Sequence, residues 1–318
     1  MMNRRNFLQK SGGLALGAGL ITGLSSCSSL LTEKAAMALP IDKLDNLFFK
    51  ISLAQWSLHK SYWAGERDPL DFAKVAREEF GLRAIEYVNQ FFSDKAEDKK
   101  YLAELKKRAD DQGVQSVLIM IDAEGNMGTL DDAERKQVVD NHKPWVEAAK
   151  FLGCHAIRVN AGGKGDPEVV KSAVVNSLSM LSEYAAQGNI NIIVENHGGY
   201  SSDGAWLADV MKTVNMPNCG TLPDLGNFTI NAFPYKKYDK YKGTQELMPF
   251  SKGVSAKTHE FTPDGKEVDI DYMRMLKIIK EAGFSGHIGI EYEGYKLSEV
   301  AGIRATLHLL QESALAIS

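Results

Sequence analysis

Hydrophobic residues along this chain follow two alternating patterns. Short, almost continuous apolar runs, such as INIIVE at 190–195, are typical of strands that are buried on both faces. Between these runs, apolar residues recur at helical spacing, as at Leu70, Phe72, Val75 and Ala76, which predicts amphipathic helices. Glycine follows many of the helical stretches, as expected at helix C-termini.

The apolar runs predict eight strands, at 48–58, 84–92, 114–122, 155–161, 190–195, 220–228, 253–261 and 286–294. Helices are expected at 68–80, 99–112, 131–152, 166–187, 203–214, 270–282 and 298–314, and a long aromatic and lysine-rich connection follows the sixth strand. This alternation predicts an α/β fold, a closed (β/α)8 TIM barrel formed by residues 46–318 as a single domain. A doubly wound open sheet is the alternative, which the lack of a Gly-rich dinucleotide turn after the first strand disfavours.

The first 45 residues are expected to lie outside the barrel. Arg4 and Arg5 precede a glycine-rich apolar run at 12–24, the pattern of a twin-arginine export signal, and this run is too short for a stable membrane span. LSSC at 24–27 resembles a bacterial lipobox, so we expect a signal peptide at 1–26, a lipidated Cys27 and a tether at 27–45. A plain signal with an incidental cysteine is the alternative. The protein is therefore expected to be exported, as a periplasmic or membrane-anchored lipoprotein that meets the membrane only through Cys27.

Charge argues against a nucleic-acid partner. The 318 residues include 37 Lys and Arg against 41 Asp and Glu, a formal net charge of -4, without a basic patch. Cys154 and Cys219 are expected to be small buried residues, with a disulfide as the less favoured alternative. The oligomeric state stays open, a homo-oligomer included.

Ionisable side chains stand at the ends of four later strands: Glu195, Asp224, His259 and Glu291. Because a barrel builds its site at the C-terminal ends of its strands, these side chains are expected to meet. Carboxylates with an imidazole suit a divalent metal such as Mn, Mg, Co or Zn. Other candidates on the strands or near their ends are Glu86, Arg158, Asn160, His197, Lys257 and Glu293, with Trp56 as a surface on which a sugar could stack. For Lys257, structural pairing with an inward acid such as Glu86 is the alternative.

The segments VENHGG, LPDLGNF, SAKTHEF and IGIEYEG, together with the alternation, resemble the sugar phosphate isomerase/epimerase family of xylose isomerase-like TIM barrels. The resemblance spans about residues 48–315. It implies a metal held by Glu195, Asp224 and Glu291, with a histidine on the seventh strand. Relatives place that histidine two residues before a lysine, where this chain has Ser255 before Lys257. Either His259 takes the role, or three carboxylates hold the ion with more water.

The activity that the resemblance implies is proton transfer beside a carbonyl through an enediolate, in a divalent-metal-dependent sugar isomerase or epimerase. Glu195 and Glu291 would carry the proton, while Lys257, His197 and Arg158 orient hydroxyls or neutralise charge. Export and the absence of an evident phosphate-binding loop favour an unphosphorylated sugar, keto-sugar or inositol as substrate. A 3-keto-glycoside lyase or hydratase using the same site is one alternative. A sugar-binding surface lipoprotein without catalysis is another.

Overall fold

The computed structural model describes residues 47–318, which form a parallel sheet of eight strands surrounded by helices. The strands of this sheet are β1 (Lys50–Ala54), β2 (Ala84–Val88), β3 (Gln115–Met120), β4 (Ala156–Val159), β5 (Asn191–Glu195), β6 (Cys219–Leu222), β9 (Val254–Thr258) and β10 (His287–Tyr292). A small antiparallel hairpin, β7 (Thr229–Asn231) and β8 (Lys236–Lys237), lies between β6 and β9. The α-helices are α1 (His59–Trp63), α2 (Phe72–Phe80), α3 (Lys99–Asp111), α4 (Asp132–Leu152), α5 (Pro167–Ala186), α6 (Gly204–Val214), α7 (Lys240–Leu247), α8 (Tyr272–Glu281) and α9 (Glu299–Ala316).

The sheet closes into a barrel. Each strand from β1 to β6 pairs in parallel with the next, β1 also pairs with β10, and β10 pairs with β9. Between β9 and β6 the contact is made by backbone hydrogen bonds: Ser255 N donates to Pro223 O (2.9 Å) and Leu225 N donates to Ser255 O (3.1 Å). The predicted α/β class and TIM barrel are confirmed.

Side chains that alternate along the strands supply two cores. The larger core lies between the sheet and the helices and includes Leu53, Ile85 and Ile157. The smaller core fills the barrel interior and includes Leu118 and Ile193. The inward positions nearest the C-terminal ends of several strands carry charged groups instead, so the interior becomes polar at that end.

Local sequence signals set the helix boundaries. Asp98 accepts hydrogen bonds from Lys100 N and Tyr101 N at the start of α3, which satisfies amides that have no partner within the helix. Gly81 and Gly153 end α2 and α4 in the left-handed conformation, with φ of 70° and 81°.

The structure differs from the sequence prediction mainly where strands end. The predicted first strand stops at Ala54, and Gln55–Leu58 form a 3-10 turn that leads into α1. Similarly, β2 stops at Val88 and is followed by a 3-10 turn at Asn89–Phe92. The connection after the sixth strand contains the β7–β8 hairpin and α7, which the pattern did not predict.

Cys154 and Cys219 are free thiols, so the disulfide alternative is wrong, and only Cys154 is fully buried. Within residues 47–318, none of the helices has the length and hydropathy needed to cross a membrane. The predicted signal peptide at 1–26, Cys27 and the tether lie outside the described residues.

Candidate active site

Three buried carboxylates meet at the C-terminal end of the barrel. Glu195 is the last residue of β5, Asp224 lies just after β6, and Glu291 is on β10. One carboxylate oxygen from each lies within 4.8 Å of the others. The expectation that these strand ends meet therefore holds for three of the four side chains.

Asp224 is fixed by a turn that its own side chain organises. Its Oδ1 accepts hydrogen bonds from Gly226 N (2.7 Å) and Asn227 N (2.8 Å), as in an Asx turn. The buried Asn196 side chain holds the same turn, because its Nδ2 donates to Asp224 O (2.8 Å) and Asn227 O (3.0 Å) while its Oδ1 accepts from Asp224 N (2.8 Å). Only the second carboxylate oxygen of Asp224 is left to face the cluster.

The ammonium group of Lys257 lies among the carboxylates. Its Nζ donates to Glu291 Oε1 (2.8 Å) and Glu293 Oε1 (2.6 Å) and lies 3.3 Å from Asp224 Oδ2. The side chain is 1% exposed. Burial alone would lower the pKa of Lys257, but the surrounding carboxylates outweigh it and hold the pKa well above its usual value. Lys257 is therefore a fixed cation. It pairs with inward acids, as the structural alternative expected, but these acids are Asp224 and Glu291 rather than Glu86.

Ser255 occupies the inward position two residues before Lys257 on β9. Its hydroxyl contacts Asp224 Oδ2 (3.1 Å) and Glu291 Oε2 (2.6 Å). Burial raises the pKa of Glu291, but Lys257 and Ser255 outweigh this effect and bring the pKa down to about 2. Glu291 is accordingly an ionised group whose two oxygens both have partners.

Glu195 has a different environment. Asn227 Nδ2 donates to its Oε1 (3.2 Å), and Arg158 Nε lies 2.9 Å from its Oε2. The N–H of Arg158 does not point at that oxygen, so the contact is an ion pair without an aligned hydrogen bond, and both atoms lack a hydrogen-bond partner. Burial is the main cause that raises the pKa of Glu195 well above its usual value; Arg158 opposes it, and Glu291 and Asp224 add to it.

Arg158 connects Glu195 to a fourth acid that the sequence interpretation missed. Arg158 Nη1 and Nη2 donate to the two oxygens of Asp122 (2.7 and 3.4 Å), and Asn160 Nδ2 donates to Asp122 Oδ1 (2.8 Å). Burial opposes ionisation of Asp122, but Arg158 and Asn160 outweigh it, so the pKa lies well below its usual range. Asp122 follows the apolar run VLIMI, so the same rule that selected Glu195 could have found it.

Glu86 lies inside the barrel on β2. Ser52 Oγ donates to its Oε1 (2.5 Å), its Oε2 has no hydrogen-bond partner, and burial raises its pKa to about 8. Gly289 on β10 leaves room for this carboxyl, since a Cβ there would lie 2.5 Å from Glu86 Oε2. Glu86 is only 1% exposed. Its predicted role in contacting a substrate therefore has no support from surface exposure and stays a prediction.

The structure does not bring His259 into the carboxylate cluster. β9 ends at Thr258, and the exposed His259 lies beyond the strand, where its backbone N donates weakly to Glu267 Oε1 (3.4 Å). The hypothesis that His259 is the seventh-strand ligand is therefore corrected: once the strand ends, the inward alternation no longer applies. His197 is also exposed, just beyond Glu195.

Two surfaces lie around this end of the barrel. Trp56 follows β1 and stacks on His59, with ring centroids 4.9 Å apart, beside Trp63 and Phe91. A cleft of about 410 Å³ lies beside Asn227, the donor to Glu195. Its lining includes Asn227, Tyr235, Lys237, Lys240, His259, Glu260, Glu267, Asp269 and Tyr295.

The fit of a divalent ion can be judged from these contacts. Glu195, Asp224 and Glu291 have the donor chemistry that such an ion requires. However, an ion bound to Glu291 Oε1 at about 2.1 Å would lie within about 5 Å of Lys257 Nζ, which is 2.8 Å from the same oxygen. Repulsion between charges of +2 and +1 at that separation is roughly 7 kcal/mol at an effective dielectric constant of about 20. This repulsion opposes the attraction between the ion and the carboxylates, and Lys257 already occupies oxygens that the ion would need, so the residues as arranged fit a divalent ion poorly while Lys257 holds this position.

Comparison with known proteins identifies similar barrels. The model of a family described as xylose isomerase-like TIM barrel matches residues 73–313. No curated protein matches the sequence.

Three similar solved structures show the range of this fold. The first, a D-tagatose 3-epimerase-like protein, has a TM-score of 0.64 and 20% identity, over 85% of this chain and 98% of that one. The second is a 3-keto-D-glucoside 4-epimerase from E. coli, with a TM-score of 0.63 and 12% identity over 77% of this chain and 95% of that one. The third is a probable 3-DHS dehydratase involved in petrobactin synthesis from Bacillus anthracis, with a TM-score of 0.61 and 17% identity over 82% and 98%. At these identities the likeness shows the fold.

Proposed function

This chain belongs to the family of xylose isomerase-like TIM barrels, and we propose that it is an enzyme that moves a proton on the carbon beside a carbonyl of a carbohydrate. Sugar epimerases and a dehydratase among the similar structures support this class of chemistry, because each of these reactions can begin by removing such a proton. The proposed reaction is that of a sugar isomerase or epimerase.

The observation that carries the proposal is the state of Glu195. This carboxyl group is buried at the C-terminal end of β5, and its Oε2 has no hydrogen-bond partner. The Arg158 guanidinium lies 2.9 Å from this oxygen without an aligned N–H, so Oε2 keeps the capacity to accept a proton. Glu195 is thus the group we assign to proton transfer, with Oε2 as the atom that receives the proton.

The proposed step uses groups whose positions are fixed by the fold. Glu195 takes the proton from carbon, the electron pair moves into the carbon–carbon bond, and the carbonyl oxygen becomes the negative oxygen of an enediolate. Lys257 and Arg158 are the nearby cations that can stabilise this charge. Because Lys257 and Ser255 hold Glu291 as an ionised group with both oxygens paired, we assign it to positioning Lys257 rather than to carrying the proton.

This assignment favours isomerisation over epimerisation. Glu195 would return the proton to the neighbouring carbon, and the proton of that carbon's hydroxyl would pass to the enediolate oxygen. An aldose and a ketose would then interconvert with a single carboxyl group acting at carbon. Inversion at one carbon needs a second proton carrier on the opposite face, and Glu291 would have to leave Lys257 to serve as one. The position of Lys257 does not support the predicted dependence on a divalent metal. If Lys257 moved away, Glu195, Asp224 and Glu291 would be the residues that hold the ion.

An unphosphorylated substrate is consistent with the cleft beside Asn227. Its volume of about 410 Å³ is in the range of small-molecule sites. Lys237 and Lys240 line it together with Glu260, Glu267 and Asp269, so the lining has no positive excess that would select a phosphate.

The proposal is tested by proton exchange with solvent. The full-length protein would be incubated in D2O with D-fructose, D-tagatose or a methyl 3-keto-D-glucoside, and deuterium at carbon followed by mass spectrometry. We expect incorporation that Glu195→Gln abolishes and that Glu78→Gln, on an exposed position of α2, leaves unchanged. Exchange that survives Glu195→Gln would refute the assigned role. Release of methanol from the glycoside would instead indicate the lyase alternative, and saturable binding without exchange would indicate a sugar-binding protein.

A further inference from the structure

We propose that the ammonium group of Lys257, together with the Ser255 hydroxyl, takes the place of a divalent metal ion in this barrel, so that the site binds no metal and uses Lys257 to stabilise the enediolate oxygen. The inference rests on the proposed proton-transfer function for its catalytic half. Its structural half, the exclusion of metal, stands on contacts alone.

The first support comes from the position that the family resemblance assigns to histidine. Ser255 stands there, and its hydroxyl contacts Asp224 Oδ2 (3.1 Å) and Glu291 Oε2 (2.6 Å). These are two of the three carboxylates that would hold an ion. Ser255 thus presents a hydroxyl that donates a hydrogen bond to the carboxylates, at the position where the resemblance implies an imidazole with a lone pair for a metal.

The second support is the place of Lys257 itself. Its ammonium contacts Glu291, Glu293 and Asp224 at 2.8, 2.6 and 3.3 Å. The ammonium offsets one of the negative charges that these three carboxylates bring, and it already occupies oxygens that an ion would otherwise use. The contact with Asp224 is the longest, so it is the one that an enediolate oxygen could replace at least cost.

The third support is that the fold holds this side chain in place. Gly226 lies against the Lys257 stem, because a Cβ on Gly226 would be 2.8 Å from Lys257 Cγ. Tyr272 Oη donates to Lys257 O (2.7 Å) from α8. The turn that positions Asp224 therefore also closes over Lys257.

Metal binding is tested without a substrate. The full-length protein, freed of metal by chelation and dialysis, would be titrated with MnCl2 and bound Mn²⁺ followed by electron paramagnetic resonance. We expect no saturable site up to 1 mM in the parent. In the double variant Ser255→His/Lys257→Met, we expect one Mn²⁺ per chain, bound with a dissociation constant at least tenfold below that 1 mM limit.

Two outcomes would overturn the inference. One is stoichiometric binding of Mn²⁺ by the parent that is lost in Glu195→Gln/Asp224→Asn. This outcome can be observed even if Ser255→His/Lys257→Met fails to fold. The other is a folded double variant, verified by circular dichroism, that binds no more Mn²⁺ than the parent. Neither outcome depends on turnover, so failure of the proposed function is seen separately, as absence of deuterium exchange.

Discussion

Replacing Lys257 with methionine should expose how strongly the cluster depends on its cation. Methionine keeps most of the apolar stem but removes the positive charge that contacts Asp224, Glu291 and Glu293. Breaking a buried ion pair by removing one partner typically costs about 3–5 kcal/mol. The pKa of Glu291 leads to a similar figure: a decrease from 4.5 to about 2 corresponds to roughly 3 kcal/mol of stability at neutral pH.

The pH dependence distinguishes lost charge from lost packing. Because the folded-state pKa of Glu291 is lowered, the stabilisation is present above pH 4.5 and disappears as pH falls towards 2. The loss of unfolding free energy caused by Lys257→Met, here called the stability deficit, should therefore be largest near pH 7 and shrink below pH 4.5. Urea denaturation between pH 3 and 7, followed by fluorescence of the buried Trp145, measures it. Lys107→Met, at an exposed position on α3, is the control and should change little. A deficit that is absent at pH 7, or equal at pH 3.5 and 7, would refute this reasoning.

Two further substitutions test neighbouring parts of the site. The pKa of Glu86 is raised to about 8, so unfolding of the parent releases the Glu86 proton between about pH 4.5 and 8 and the parent loses stability as pH rises. The unfolding free energy of Glu86→Gln should therefore rise relative to that of the parent by about 1.4 kcal/mol per pH unit in this range. Urea denaturation at pH 5, 6.5 and 8 measures this difference, and a difference that does not change with pH would contradict the prediction. Asn196→Ala leaves Asp224 N and Asp224 O without their partner, while Asn227 O keeps the hydrogen bond from Ser202 Oγ (2.7 Å), so the substitution should lower stability by about 2 kcal/mol and slow deuterium exchange with D-fructose. Unchanged stability and exchange would show that the turn does not need this side chain.

The barrel could be predicted from sequence because its local signals agree with one another. Continuous apolar runs suit strands that are covered on both faces, and aspartates and glycines such as Asp98 and Gly153 begin and end the helices. Helix α7 was missed because Gly243 in its middle lowers its helical propensity. The structure needs glycine there, since a Cβ would lie 2.2 Å from Phe228 Cε1. Packing between distant parts of the chain set that residue, and a local pattern cannot show it.

The part of the site that lies at strand ends could be predicted from the sequence. The positions of Glu195, Asp224 and Glu291 follow from the rule that barrel strands present their C-terminal ends to one centre. The placement of His259 failed because the pattern extended β9 to residue 261, whereas the strand ends at Thr258. The central position of Lys257 could not be derived either, because it depends on which of several acids its long side chain reaches.

The most direct test of the account is deuterium exchange in the presence of a chelator. The full-length protein would be assayed in D2O with D-fructose, D-tagatose or the methyl 3-keto-D-glucoside, with and without 10 mM EDTA, beside Glu195→Gln. The account predicts incorporation at the carbon next to the carbonyl that EDTA leaves unchanged and that Glu195→Gln abolishes. Exchange that EDTA stops and Mn²⁺ restores would contradict the role of Lys257, and exchange that Glu195→Gln retains would contradict the proposed proton transfer.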